Sequence, residues 1–112
     1  MLLIIRKPAT PEEIASMAED YDGFIKVVLD IEREIATGGG KMHVDGEQVL
    51  LKDGSKQANL WGGGIDWETK EVDYNSMINL RPADKNPSRD ILSEETRTKF
   101  DAIVHRLFLH QP

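Results

Sequence analysis

The sequence predicts an α+β fold: a mainly antiparallel sheet of about five strands with two helices packed on one face. Three observations carry this. A period-two apolar pattern runs through FIKVVLDIEREI, capped helices stand near both ends, and turn-forming residues punctuate the stretch between them. The 112 residues suit a single domain spanning 1–112, and folding a chain of this size removes roughly two thirds of its extended surface from water. With 39% hydrophobic and 30% charged residues, the balance is that of an ordered globular protein rather than a disordered one.

The elements follow in order. Met1 to Ile5 is an apolar run ended by Arg6 and Lys7. It is too short for a signal-peptide core or a membrane span, and reads as a strand. Thr10, Pro11 and Glu13 form a capping box with proline at the first helical position, which starts a helix over about Pro11 to Asp20. Ile25, Val27, Leu29 and Ile31 then alternate with more polar neighbours, the mark of a half-buried strand. Gly38, Gly39 and Gly40 predict a hairpin, after which Met42 to Leu51 reads as extended. Asp53-Gly54 tolerates the positive φ of a type I′ turn and predicts a second hairpin into ANLW. Another is expected around Glu68 to Lys70, joining GGID to EVDY. Ser76 to Leu80 reads as a last strand before Arg81-Pro82 breaks regularity. Ser93 caps a closing helix from about Glu94 to Phe108, with Phe100, Ile103, Val104 and Leu107 on one stripe.

Charge and composition narrow the function. A net charge of −6 disfavours nucleic acid and acidic membrane surfaces as partners. The absence of cysteine excludes disulfides, thiol nucleophiles and thiolate metal sites, in keeping with a soluble cytoplasmic monomer. No nucleotide-binding glycine motif and no G-x-S-x-G elbow around any serine is present, so no cofactor is implied.

The segments LWGGGID (Leu60 to Asp66), SMINLRP (Ser76 to Pro82) and NPSR (Asn86 to Arg89), with KPAT at Lys7 to Thr10 and VLLKDGSKQ at Val49 to Gln57, make a recognisable set. Together they resemble a small family of uncharacterised prokaryotic proteins classed as a domain of unknown function. The resemblance covers nearly the whole chain. It implies a shared fold and carries no activity, substrate or catalytic residue onto these positions.

Candidate sites come from the residues themselves. In LWGGGID an aromatic stands beside three residues without Cβ and a carboxylate. Trp61, Gly62, Gly63, Gly64 and Asp66 therefore form either a pocket floor or a sheet bend with Trp61 in the core. Between positions 81 and 89, Arg81, Lys85 and Arg89 face Asp84 alone, and Asn86-Pro87 can open a helical turn. Such a cluster suits a phosphate or carboxylate, or it ties down the loop through Asp66, Asp73 or Asp90. His43, Asp45 and Glu47 would share one face of a strand as metal ligands, or simply form a solvated hairpin face. Asp66, Glu68 and Lys70 spell the D-x-E-x-K of metal-dependent nucleases, in a place where a hairpin turn is equally expected. His105 and His110 read as surface residues.

The combined expectation is a small ligand-binding or protein-interaction module with an anion-accepting loop. Trp61, Gly63, Gly64, Asp66, Asn79, Arg81, Asn86 and Arg89 form its site, and its partner is a small anionic ligand or another protein. The alternative is a metal-dependent hydrolase or nuclease using carboxylates among Asp45, Asp66, Glu68 and Asp73, with His43 as ligand or base.

Overall fold

A computed structural model describes residues 1–110. Five strands form one sheet, entirely antiparallel, in the order β1-β3-β2-β4-β5. The strands are β1 (Leu3–Ile5), β2 (Phe24–Asp30), β3 (Ile35–Gly38), β4 (Leu60–Asp66) and β5 (Val72–Asp73). Three helices accompany them: α1 (Pro11–Ala18), α2 (His43–Lys52) and α3 (Glu94–Leu107). The sheet and the α+β class agree with the sequence reading.

β2 is the central strand, and its alternation decides what each face buries. Ile25, Val27 and Leu29 point toward α1 and α3, where they meet Ile14, Met17, Phe100, Ile103, Val104 and Leu107 in one closed core. The opposite face holds a smaller cluster of Val28, Ile35, Leu50 and Leu60 beneath α2. Both expected helices therefore share one face. The capping box at Thr10 is complete, since Thr10 Oγ1 accepts from the Glu13 amide while a Glu13 carboxylate oxygen accepts from the Thr10 amide. Ser93 caps α3 through the Thr96 amide.

Four local expectations are corrected. Met42 to Leu51 is extended only in its first residue, because His43–Lys52 is helix α2. The sequence hides this helix: Met42 offers no capping side chain, and Gly46 sits mid-helix, where glycine is intrinsically unfavourable. Tertiary packing overrides propensity here. The glycine lets the helix backbone approach β3 so closely that a Cβ would collide with Thr37 Oγ1 and stand 3.1 Å from Val28 Cγ2. Asp53-Gly54 makes no hairpin but terminates α2. Gly54 takes φ +103°, the Ser55 amide donates to Leu50 O at 2.9 Å and the Gly54 amide donates to Leu51 O, which is a Schellman closure. The positive φ was legible in the sequence, but the element it ends was not.

The hairpin expected over Gly38 to Gly40 lies earlier, between β2 and β3. There the buried Asp30 accepts from the Glu32 and Arg33 amides and Glu34 takes φ 56°. The glycines end β3 instead: Gly38 passes under Met17 and Phe108, and the Gly40 amide donates to Asp20. Ser76 to Leu80 likewise is no strand. Ser76 caps a short 3-10 turn at Met77–Asn79, and the neighbouring chain is joined by the Asn75–Asp90 bridge. The β4–β5 hairpin forms where expected, with Asp66 Oδ1 accepting from the Glu68 and Thr69 amides.

Candidate functional site

The glycine triplet is used for close packing. Gly62 and Gly64 face the α2 side and Gly63 the closed core. A Cβ on Gly62 would run into Ser76, one on Gly63 into Phe100, and one on Gly64 into the Phe24 ring. Trp61 is buried in the core cluster. Asp66 organises the β4–β5 turn, and the Lys70 ammonium lies over the Trp67 ring at 3.8 Å.

The loop that follows is held by its asparagines. Asn79 is fully buried; its Oδ1 accepts from the Gly62 amide at 2.8 Å and its Nδ2 lies within hydrogen-bonding distance of the Gly62, Tyr74 and Arg89 carbonyls. Asn86 does the same one turn on. Its Nδ2 reaches the Asn79, Ser88 and Asp90 carbonyls and its Oδ1 accepts from the Leu92 amide. Arg81 stacks on Trp61, with 4.0 Å between guanidinium and ring centre, and donates to Gln57 O and Leu60 O at 2.8 and 2.6 Å. Burial lowers its pKa against the opposing fields of Asp84 and Glu47. Asn79 and Asn86 spend their amide donors on backbone, and Arg81 does the same with its two terminal nitrogens, while its buried Nε has no hydrogen-bond partner among the described residues. Arg89 of the same loop lines a cavity.

That cavity lies on the α2 face, where the helix leaves the sheet uncovered. Its volume is about 420 Å³. Phe24 and Lys26 of β2 and Asp73 of β5 form its sheet side, the first turn of α2 (Met42, His43, Val44) one wall, and Ser76, Met77, Ile78 and Arg89 the other, with Tyr21 at the mouth. The register explains the floor. Lys26 pairs with Gly64 and Gly64 with Asp73, so the two charged side chains flank a position that has none.

Helix α2 also dismantles the expected metal face. Successive helical residues turn by about 100°, so Asp45 is carried away from His43 and Glu47 and stands exposed. Glu47 is buried. Asp66, Glu68 and Lys70 sit in the hairpin turn. Among the described residues no group of three or more His, Asp or Glu side chains is placed to hold a metal ion. His105 is exposed, and His110 lies 3.2 Å from the Ala9 carbonyl.

A family model described as "Protein of unknown function (DUF5674)" matches residues 3–107. The chain belongs to the DUF5674 family. No curated protein and no solved structure matches it.

In this DUF5674 chain the most chemically distinctive member of the cavity is His43. Its Nε2 donates to the Gly63 carbonyl at 2.6 Å, which fixes the neutral tautomer and leaves Nδ1 as the basic nitrogen. Burial pushes its pKa below the ordinary imidazole value and Lys26 pushes the same way, while the Gly63 hydrogen bond and Asp73 oppose them. Lys26 lies over the Tyr21 ring at 4.8 Å and Asp73 accepts from the Asn75 amide. Among the described residues neither Lys26 nor Arg89 forms an ion pair. The arrangement thus brings two cations without carboxylate partners, an imidazole and apolar walls to one cavity. No helix among the described residues is long and apolar enough to cross a membrane.

Sequence reasoning missed Lys26, His43 in this role, and the first turn of α2. Lys26 is the one cation on the central strand, and that signal could have drawn attention to it.

Proposed function

We propose that this DUF5674 protein is a small binding module that holds an anionic group in the cavity between β2, the start of α2 and the Ser76 to Arg89 segment. The observation that carries the reading is the pair Lys26 and Arg89, two cations without carboxylate partners that line one cavity of a chain of net charge −6. Leaving two positive charges unpaired in an acidic protein, where carboxylates are plentiful, favours an incoming anion as their partner. The uncapped first turn of α2 adds the positive end of a helix dipole to the same wall. Of the expected site, Arg89 lines this place, Gly63 holds the His43 ring through its carbonyl and Gly64 separates Lys26 from Asp73, whereas Asn79, Arg81 and Asn86 act behind it by shaping the loop.

The test is a backbone-amide NMR titration with inorganic phosphate and with acetate. Shifts confined to Lys26, Met42 to Val44, Gly63, Gly64 and Arg89, and lost in the double variant Lys26→Gln/Arg89→Gln, are expected. Shifts centred instead on Arg81 and Asn86 would place the anion at the loop, and a flat response to both anions would refute the reading.

A further inference from the structure

The rim of the cavity carries more apolar surface than a small anion can cover. Of the seven large hydrophobic side chains that stand exposed among the described residues, four gather here: Tyr21 (50% exposed), Met42 (60%), Val44 (40%) and Met77 (61%), the remaining three being Met1, Leu80 and Leu92. They come from three separate stretches of chain, namely the turn after α1, the start of α2 and the 3-10 turn after β5. Their convergence is therefore a product of the fold rather than of one apolar run. Two are methionines, whose unbranched, polarisable side chains adapt to varied apolar partners.

We propose that the occupant of this site is a segment of another protein that presents an apolar side chain beside a carboxylate. The inference rests on the anion-binding reading above and names the class of ligand. The apolar side chain enters between Phe24, Ile78 and Met42, the carboxylate meets Lys26 and Arg89, and the flanking residues cover Tyr21 and Met77. A ligand confined to about 420 Å³ would leave that rim in water, whereas a chain running across it removes the rim from solvent. Charge selects the kind of partner. The cavity holds two cations against the single carboxylate of Asp73, an excess of positive charge in a chain of net −6. A second copy of this chain brings its own −6 and is repelled at distance, so the partner is a different protein with a locally acidic segment.

The experiment is selection of displayed random dodecapeptides on the full chain, run in parallel on Lys26→Glu/Arg89→Glu and on Met42→Ser/Met77→Ser. Circular dichroism and the thermal midpoint confirm that each variant is folded. Enrichment of sequences with Asp or Glu next to Leu, Phe or Trp is expected. The charge-reversed chain should enrich Lys or Arg at the acidic position, and the serine variant should bind the original peptides about tenfold more weakly. Failure to enrich any sequence, or enrichment that ignores the charge reversal, overturns the proposal. The NMR titration separates the two readings: phosphate or acetate shifts at Lys26 and Arg89 with no peptide selected leave a small-anion site without a protein partner, and no shifts with no peptide refute both.

Discussion

The two faces of the sheet divide the molecule's work. On one, α1 and α3 cover the odd-numbered residues of β2 completely, and Ile25, Val27, Leu29, Phe100 and Leu107 are lost to solvent. On the other, Leu50 of α2 packs with Val28, Ile35 and Leu60 and Gly46 lies against Thr37, while Phe24 and Lys26 remain at an open cavity. A domain of this size needs one continuous core for stability, and the closed face supplies it. The half-covered face is thereby free to keep cations and apolar groups that contribute little to folding.

The sharpest way to break this contrast is to truncate an aromatic on each face. Phe100→Ala on the closed face is expected to cost about 3–5 kcal/mol, because a fully buried ring leaves a cavity the surrounding core cannot refill. Phe24→Ala on the open face should cost only about 1 kcal/mol, since that ring is half-buried and leaves its space to water. Urea unfolding midpoints of the two variants measure the difference. Equal losses would mean that the α2 face carries as much of the stability as the other.

The same division explains what was legible in the sequence. The closed face uses local signals that agree with the fold: the Thr10 capping box, the Ser93 cap, the helical stripe of α3 and the alternation of β2. The open face uses signals that only tertiary structure decodes. Gly46 and Met42 argue against a helix locally, and Asp53-Gly54 carries the same backbone requirement in a hairpin as in a helix stop. The expected site was partly visible for the same reason. Asparagines and arginines between 79 and 89 stood out as chemistry-bearing residues, yet sequence could not tell that Asn79, Arg81 and Asn86 direct their donors to backbone carbonyls while Arg89 faces a cavity. The cavity itself joins residues from Tyr21 to Arg89, and no local pattern encodes that meeting.

Gly46 offers a finer probe of the open face. Alanine should strengthen α2 by about 1 kcal/mol through helix propensity alone. The new methyl instead meets Thr37 Oγ1, and overpacking of this kind costs about 1–3 kcal/mol. Gly46→Ala is therefore expected to destabilise, and Gly46→Ala/Thr37→Ala to recover most of the loss, as read from denaturant midpoints. A stabilised single variant would show that α2 can lift from the sheet at little cost and that its packing does not fix the cavity wall.

The smallest expected effect separates the faces by pH. The pKa of His43, the imidazole of the open face, is lowered, chiefly by burial, from the ordinary 6.5. Below that value the unfolded chain binds a proton that the folded chain resists, so stability present above pH 6.5 is lost as pH falls through the folded pKa. Asp20 and Asp53, also lowered, lose their contributions only below 3.8, and Tyr74, raised to about 12, loses its contribution as pH climbs from 10 toward that value. The window just below pH 6.5 thus belongs to His43 among the shifted groups. In His43→Gln, which keeps a donor for the Gly63 carbonyl, the decline of the thermal midpoint across that window should flatten while the losses below 3.8 and above 10 persist. If the decline below pH 6.5 is unchanged in the variant, the imidazole is not held neutral by burial, and the wall of the cavity at α2 is open to water in solution.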